Sequence, residues 1–280
     1  MKVNNFWART ITGLSMVFLI IASLYFSRWG FAGIFGLVTV LGLWEFYSIT
    51  TTEFSQPQKI AGTVLGTTWY IFTARIALQG NSGMFLYIWF FLLPFLFIPF
   101  VIEIFRNRAQ PLYNIGITVM GITYIALPLS LLNFLNLPEY TSIFSHFSAV
   151  LLGYFLITWL YDTGAYLFGK SFGKHKFFER ISPKKTWEGI FAGVVVALAA
   201  AAGLSYISKG MMLTDWLILA MIIIVFGTLG DLAESLLKRS LNLKDSGTIL
   251  PGHGGILDRF DTIFLSAPFV FLFFVLRFIF

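Results

Sequence analysis

The side chains best equipped for chemistry lie between Asp231 and Asp261, a stretch that holds five of the chain's 13 acidic residues. An apolar run ends at Gly230 and continues as Asp231-Leu-Ala-Glu234-Ser235-Leu-Leu-Lys238-Arg239. Positions 231, 234, 235 and 238 follow helical i, i+3, i+4, i+7 spacing, so one face presents two carboxylates, a hydroxyl and an ammonium group. A solvated helix end can carry the same pattern. Asp231, however, follows an almost wholly apolar segment and so lies at membrane depth, where an ionisable group costs about 2.5–3.5 kcal/mol to insert. Downstream, Lys244-Asp245-Ser-Gly247 and Pro251-Gly252-His253-Gly254-Gly255 supply glycines that let backbone amides approach an anion. Asp258-Arg259-Phe260-Asp261 then opens another apolar run. Its aspartates, three apart and on one helical face, suit two oxygen ligands for a divalent ion, or the ordinary role of acids at a helix start.

Two upstream regions add to this set. Asp162 sits in an apolar segment beside Thr163, Gly164 and Ala165, small residues that allow another helix or a ligand close approach. It reads equally as a site residue or as the ion-pair partner of a neighbouring helix. From Lys170 to Glu188 the chain is basic, which commonly only sets topology and rests on anionic headgroups. Its end is more particular: Ser182-Pro-Lys184-Lys185-Thr186-Trp-Glu-Gly189 joins a proline turn, adjacent ammonium groups and a hydroxyl to a helix start. Charge and helix dipole act together there on a triphosphate. Carboxylates for a hard metal, cations for phosphates and amides for developing negative charge are equipment for phosphoryl or nucleotidyl transfer without a covalent nucleophile.

The elements that position these groups must work in lipid. The 280 residues are 58% hydrophobic and 11% charged, against about 25% charged in a soluble domain. Thirty-three Phe and eight Trp fit lipid-facing surfaces and interfacial belts. With no cysteine, a metal must take oxygen or imidazole ligands, which points to hard cations such as magnesium. The net charge of +6 is scattered over short loops, a distribution that fits topology and attraction to anionic lipid or nucleotide and argues against nucleic acid.

A span needs about 20 apolar residues, and nine segments meet that demand: 10–27, 30–48, 60–79, 84–105, 112–134, 147–168, 189–208, 212–238 and 262–280. The expected fold is an all-α polytopic membrane helix bundle of about nine transmembrane helices. Residues 1–140 carry about five, residues 141–280 about four plus the catalytic loops, in one integrated domain. Arg75 lies inside the third span, near an end from which it can snorkel, and Pro94, Pro99, Pro128 and Pro268 are expected to kink their helices. Lys2 and Arg9 before an apolar run have the outline of a secretory signal, but no small-residue cleavage site follows, so a retained first helix is expected. Only Arg28, Arg75, Lys209 and Arg277 of the 19 basic residues fall on one side of such a bundle. The positive-inside rule then puts the N-terminus and the basic loops in the cytoplasm.

The pattern Ser235-x2-Lys238-Arg239-x4-Lys244-Asp245-x-Gly247-x2-Leu250-Pro251-x-His253-Gly254-Gly255-Ile256-x-Asp258-Arg259-Phe260-Asp261 resembles the motif of the CTP:phosphatidate cytidylyltransferases, or CDP-diacylglycerol synthases, of bacterial type. The Ser182–Gly189 segment resembles that family's second characteristic stretch, and the multi-span layout is similar over nearly the whole chain. The resemblance implies that CTP and phosphatidic acid give CDP-diacylglycerol and pyrophosphate for phospholipid synthesis, in a homodimer of the bacterial inner membrane with its site facing the cytoplasm. It implies magnesium held by Asp231, Asp258 and Asp261, with Asp162 and Glu234 as further candidates and a second ion, potassium or magnesium, beside it. Lys184, Lys185, Lys238 and Arg239 would then neutralise phosphates, and Arg259 would clamp one bidentately. Ser182, Thr186, Ser235, Lys244, Asp245, Gly254 and Gly255 would complete the phosphate contacts. His253 would either donate to departing pyrophosphate or lock the glycine loop. The sixth, eighth and ninth spans, which carry the intramembrane acids, would line a funnel open to both water and lipid. A CTP-dependent lipid kinase, an isoprenoid-lipid cytidylyltransferase and, from another class, a transporter are the competing readings.

Overall fold

The computed structural model describes residues 2–79, 93–136, 142–143, 147–247 and 254–278. In lipid every backbone polar group must be satisfied within the protein, which favours helices wherever the chain is apolar. The described helices are α1 (Lys2–Phe26), α2 (Arg28–Ile49), α3 (Lys59–Gln79), α4 (Ile98–Arg106), α5 (Pro111–Gly121), α6 (Leu127–Leu135), α7 (Ala149–Phe172), α8 (Trp187–Ile207), α9 (Leu213–Ser240) and α10 (Leu257–Phe278). Among the described residues short strands occur only in connections: β1 (Ser142–Ile143), β2 (Phe147–Ser148), β3 (Lys176–Phe178), β4 (Ser182–Thr186) and β5 (Ser208–Lys209). Among the described residues six helical stretches are long and apolar enough to cross a membrane: α2, the continuous Pro111–Leu135 segment, α7, α8, α9 and α10. The protein is an integral membrane helix bundle.

Several expected spans meet this description differently. The third is helical over Lys59–Gln79, but its threonines, Lys59, Arg75 and Gln79 keep it out of the six. Of the fourth, residues 80–92 lie outside the described residues; its end is a 3-10 turn at Leu93–Leu96 holding Pro94, followed by the nine-residue α4 with Pro99 in its first turn. The last span begins at Leu257, five residues earlier than expected, so Asp258 and Asp261 both lie within helix.

The chain divides into two compact units, 1–134 with 241–260 and 135–240 with 261–280. In the first, α2, α3 and the Pro111–Leu135 helix pack around Phe31, Phe35, Leu43, Tyr47, Tyr70 and Ile125, all buried. The Tyr47 ring fits where glycine leaves room: a Cβ on Gly62 would come within 2.6 Å of it. Its hydroxyl donates to the Thr118 carbonyl at 2.7 Å. Between α5 and α6 the turn widens into a π segment, Ile122–Ala126, in which the Leu127 N–H bonds the Ile122 carbonyl. Pro128 follows directly; lacking an N–H and crowding the carbonyl four residues back, it fits better after a widened turn.

In the second unit α7 and α8 pack along small residues. A Cβ on Gly189 would meet the Ala165 carbonyl at 2.6 Å, and one on Gly164 would meet Val196 at 3.1 Å. Close backbone approach through small residues is the usual route to helix association in lipid. Two buried hydroxyl pairs fix the remaining crossings: Tyr161–Thr228 joins α7 to α9 and Tyr154–Ser266 joins α7 to α10, each at 2.6 Å. At the opposite end of α9, Asp215 accepts from Arg277 at 2.8 Å.

Candidate functional site

The acidic cluster is built in the second unit by a backbone crossing. Gly227 and Gly230 leave α9 bare where α10 passes: a Cβ on Gly230 would lie 2.6 Å from the Asp261 carbonyl, and one on Gly227 2.6 Å from Thr262. This crossing brings Asp261 into electrostatic reach of Asp231, Glu234 and Asp162. Asp162, on α7, is in turn within reach of Asp231 and Lys185. Four carboxylates that the sequence distributes over a hundred residues therefore act on one another, and three helices hold them.

Ammonium groups answer two of the four directly. Lys185 Nζ lies 2.7 Å from Asp231 Oδ2, both half-buried. Lys238 Nζ lies 2.6 Å from the buried Glu234 carboxylate one helical turn away. Ser235 Oγ donates to Asp231 Oδ1 at 3.3 Å, and Asp261 Oδ1 accepts the Thr262 amide at 2.7 Å. The donor set is oxygen-rich and partly neutralised by flexible amines, which suits a hard divalent cation. Among the described residues no three His, Asp or Glu side chains close on a point by themselves. Magnesium commonly takes only one or two carboxylates and completes its shell with water and substrate phosphates, so the residues fit it.

The basic segment is a hairpin, β3 paired antiparallel with β4. Successive strand side chains point to opposite sides, which separates the adjacent lysines: Lys184 is exposed while Lys185 turns to Asp231. Ser182 pairs with Phe178 in the ladder. Thr186 is the N-cap of α8, its hydroxyl accepting the Gly189 amide at 3.3 Å. Glu188 accepts the Lys174 and His175 amides and bonds His175 Nδ1 at 2.6 Å. Much of this stretch thus secures the hairpin to the start of α8.

In the first unit Ser246 and the Gly255–Leu257 amides hold carboxylates of the protein itself. Asp258 Oδ2 accepts from the Ser246 amide, the Ser246 hydroxyl and the Gly255 amide, each at 2.9 Å. Gly254 takes φ +84°, a left-handed conformation that favours glycine. The Ile256 and Leu257 amides, which open α10, donate at 2.9 and 3.0 Å to Glu45, a buried carboxylate on α2. In this arrangement the three amides from Gly255 to Leu257 hold protein carboxylates in the place where the sequence offers them to a phosphate. Lys244, Asp245 and Arg259 are exposed, and so is Arg239 at the end of α9. His253, with Leu250, Pro251 and Gly252, lies outside the described residues.

Sequence reasoning passed over Glu45. The signal was available, because it is the single acid in the apolar 28–49 stretch and an ionisable group within a span is a functional candidate by default. Its flanking Trp44, Phe46 and Tyr47 make it read as one polar residue near a helix end.

A family model described as "Cytidylyltransferase family" matches residues 7–277. The chain is 52% identical over 116 residues to a phosphatidate cytidylyltransferase of Staphylococcus aureus (strain COL), an alignment covering 41% of this chain and 44% of that protein. A Staphylococcus epidermidis phosphatidate cytidylyltransferase is 48% identical over 115 residues, with the same coverage. One from Staphylococcus saprophyticus is 41% identical over 164 residues, 58% of this chain and 60% of that protein. The alignments thus span about half the length of these relatives, whereas the family match extends over nearly all of this sequence. On that match, the chain belongs to the cytidylyltransferase family.

Proposed function

We propose that the protein is a phosphatidate cytidylyltransferase, transferring the cytidylyl group of CTP to phosphatidic acid in the bilayer to give CDP-diacylglycerol and pyrophosphate. The observation that carries this reading is the carboxylate cluster of Asp162, Asp231, Glu234 and Asp261, countered by Lys185 and Lys238 within an apolar bundle. Such a set handles multiply charged phosphates at the membrane, and it belongs to a family whose matched relatives are named for this reaction. Bound magnesium would neutralise charge on the triphosphate, with Asp231 and Asp261 as its principal ligands and Asp162 and Glu234 as reserve oxygens; Asp258 is a further candidate ligand on the sequence motif alone.

The chemistry asked of the chain is positioning. A phosphate oxygen of phosphatidate attacks the α-phosphorus of CTP, and the bond from that phosphorus to the β-phosphate bridging oxygen breaks in line as pyrophosphate departs. The attacking monoester is anionic at neutral pH, so no strong general base is required. Lys185 exchanges its hold on Asp231 for the incoming phosphates, Lys238 remains beside Glu234 as a source of positive charge, and Arg239 and Arg259 meet the outer phosphates. Burial of Glu234 strengthens the Lys238 interaction most, because it is the least exposed to water. We further assign the protein about nine spans, a cytoplasmic N-terminus and cytoplasmic basic loops, a homodimeric state and a place in the bacterial inner membrane. The basic side then meets CTP, while the lipid substrate is held by its acyl chains.

The test is incubation of purified protein with α-labelled CTP, magnesium and phosphatidate. Label in a lipid product that yields CMP and phosphatidate on hydrolysis supports the proposal. Label only in CDP supports a CTP-dependent lipid kinase, and transfer only to an isoprenoid phosphate supports the related cytidylyltransferase. No reaction with any acceptor returns the transporter reading.

A further inference from the structure

We infer that Glu45 is a positioning residue for this reaction, the buried anion that holds Ser246 and the Ile256–Leu257 start of α10; the inference rests on the cytidylyl-transfer reading for its kinetic arm only. Glu45 lies more than two hundred positions from the loop in sequence, yet it collects three of its donors. Oε1 accepts the Ser246 hydroxyl at 2.5 Å and the Leu257 amide at 3.0 Å, and Oε2 accepts the Ile256 amide at 2.9 Å.

Each contact has a local reason. The first N–H groups of a helix have no partner within the helix, and α10 opens at Leu257 with no serine, threonine or asparagine before it to cap them. Glu45 takes that role from another helix, with a full negative charge at the positive end of the helix dipole. Ser246 couples this anchor to the site, since its hydroxyl touches Glu45 Oε1 on one side and Asp258 Oδ2 at 2.9 Å on the other. The clasp also gives two signature glycines a reason beyond phosphate binding. A Cβ on Gly247 would sit 2.8 Å from Glu45 Oε2, and one on Gly255 would overlap both Glu45 Oε1 and the Ser246 hydroxyl. The backbone at Gly247 and Gly255 is shaped to the Glu45 carboxylate, and Asp258 is oriented by Ser246, which Glu45 holds.

Glu45→Gln in the full-length purified protein tests this, because it keeps the side chain's shape while replacing one acceptor oxygen by a donor. Two readouts are needed: hydrogen exchange of the segment 254–260, and kcat and KM for CTP with magnesium and phosphatidate. We expect exchange at Ile256 and Leu257 to quicken at least about tenfold, and kcat to fall roughly thirtyfold or more with KM for CTP within about threefold, as misplacement without loss of binding requires. Exchange unchanged from wild type, or kcat within about threefold of it, would overturn the inference. Should Glu45→Gln fail to fold, Ser246→Ala cuts the hydroxyl arm alone and must show the same pattern in smaller measure; wild-type exchange and turnover there would equally overturn it. Failure of wild-type protein to make CDP-diacylglycerol would sink the proposed function and leave the exchange result standing. Unchanged exchange in an active enzyme would sink the clasp alone.

Discussion

Two groups of carboxylates in this molecule are held by opposite means. Around Asp258 and Glu45 the partners are backbone amides and a serine hydroxyl, fixed in direction by the loop that carries them. Around Asp231 and Glu234 they are lysine amines on flexible stems. A carboxylate bound by amides gives shape, because moving it would strip several buried donors of their acceptor, at about 1–3 kcal/mol each. A carboxylate answered by an ammonium group can exchange partners, because the amine can swing to an arriving phosphate and leave the oxygen for a cation. Glu45 therefore shapes the loop and orients Asp258 through Ser246, whereas the second group is free to exchange partners as phosphates and a cation arrive.

Changes that attack this division should rank by which group they touch. Gly255→Ala should do most damage, since the new methyl overlaps the Glu45 carboxylate and the Ser246 hydroxyl; we expect activity below about one per cent of wild type, a barrier increase of about 2.7 kcal/mol or more. Normal turnover of that variant would mean the loop is not built around Glu45. Lys185→Met should lower kcat/KM for CTP roughly a hundredfold while the folded fraction holds, whereas exposed Lys184→Ala should cost under about fivefold and lose that effect at high salt. Equal losses for the two lysines would erase the distinction made by the strand. Gly230→Ala should destabilise by about 1–3 kcal/mol, the usual cost of overpacking, through the α9–α10 crossing, and should lower activity by parting Asp231 from Asp261. Thermal unfolding in detergent reads the first effect and turnover the second. Tyr161→Phe, which removes the hydroxyl bonded to Thr228, should cost only about 1 kcal/mol and leave kcat unchanged.

Only part of this division is legible in the sequence. Helices over residues 28–49, 111–135, 149–172, 187–207 and 213–240 follow from apolar runs of membrane length, because lipid leaves the backbone few other choices. The acid face of α9 was legible from its helical spacing alone. That Asp162, Asp231 and Asp261 meet was not, since it depends on a crossing set by Gly227 and Gly230, and glycine records only that something comes near. The widened turn at Ile122–Ala126 was hidden because hydropathy averages over a window that a single π turn does not disturb. Lys184 and Lys185 looked like twins until β4 turned them apart. The pairing of Glu45 with Ser246, Ile256 and Leu257 was missed for a related reason: it spans most of the chain, and nothing within either segment points to the other.

We place the chemistry at the Asp231 cluster, and Asp231→Asn is the sharpest check on that placement. In folded, purified protein assayed with α-labelled CTP, phosphatidate and magnesium, this near-isosteric change should lower turnover by about a thousandfold or more, equivalent to about 4 kcal/mol, with the unfolding temperature within a few degrees of wild type, roughly the shift that 1 kcal/mol gives a protein of this size. Turnover within about threefold of wild type would contradict it.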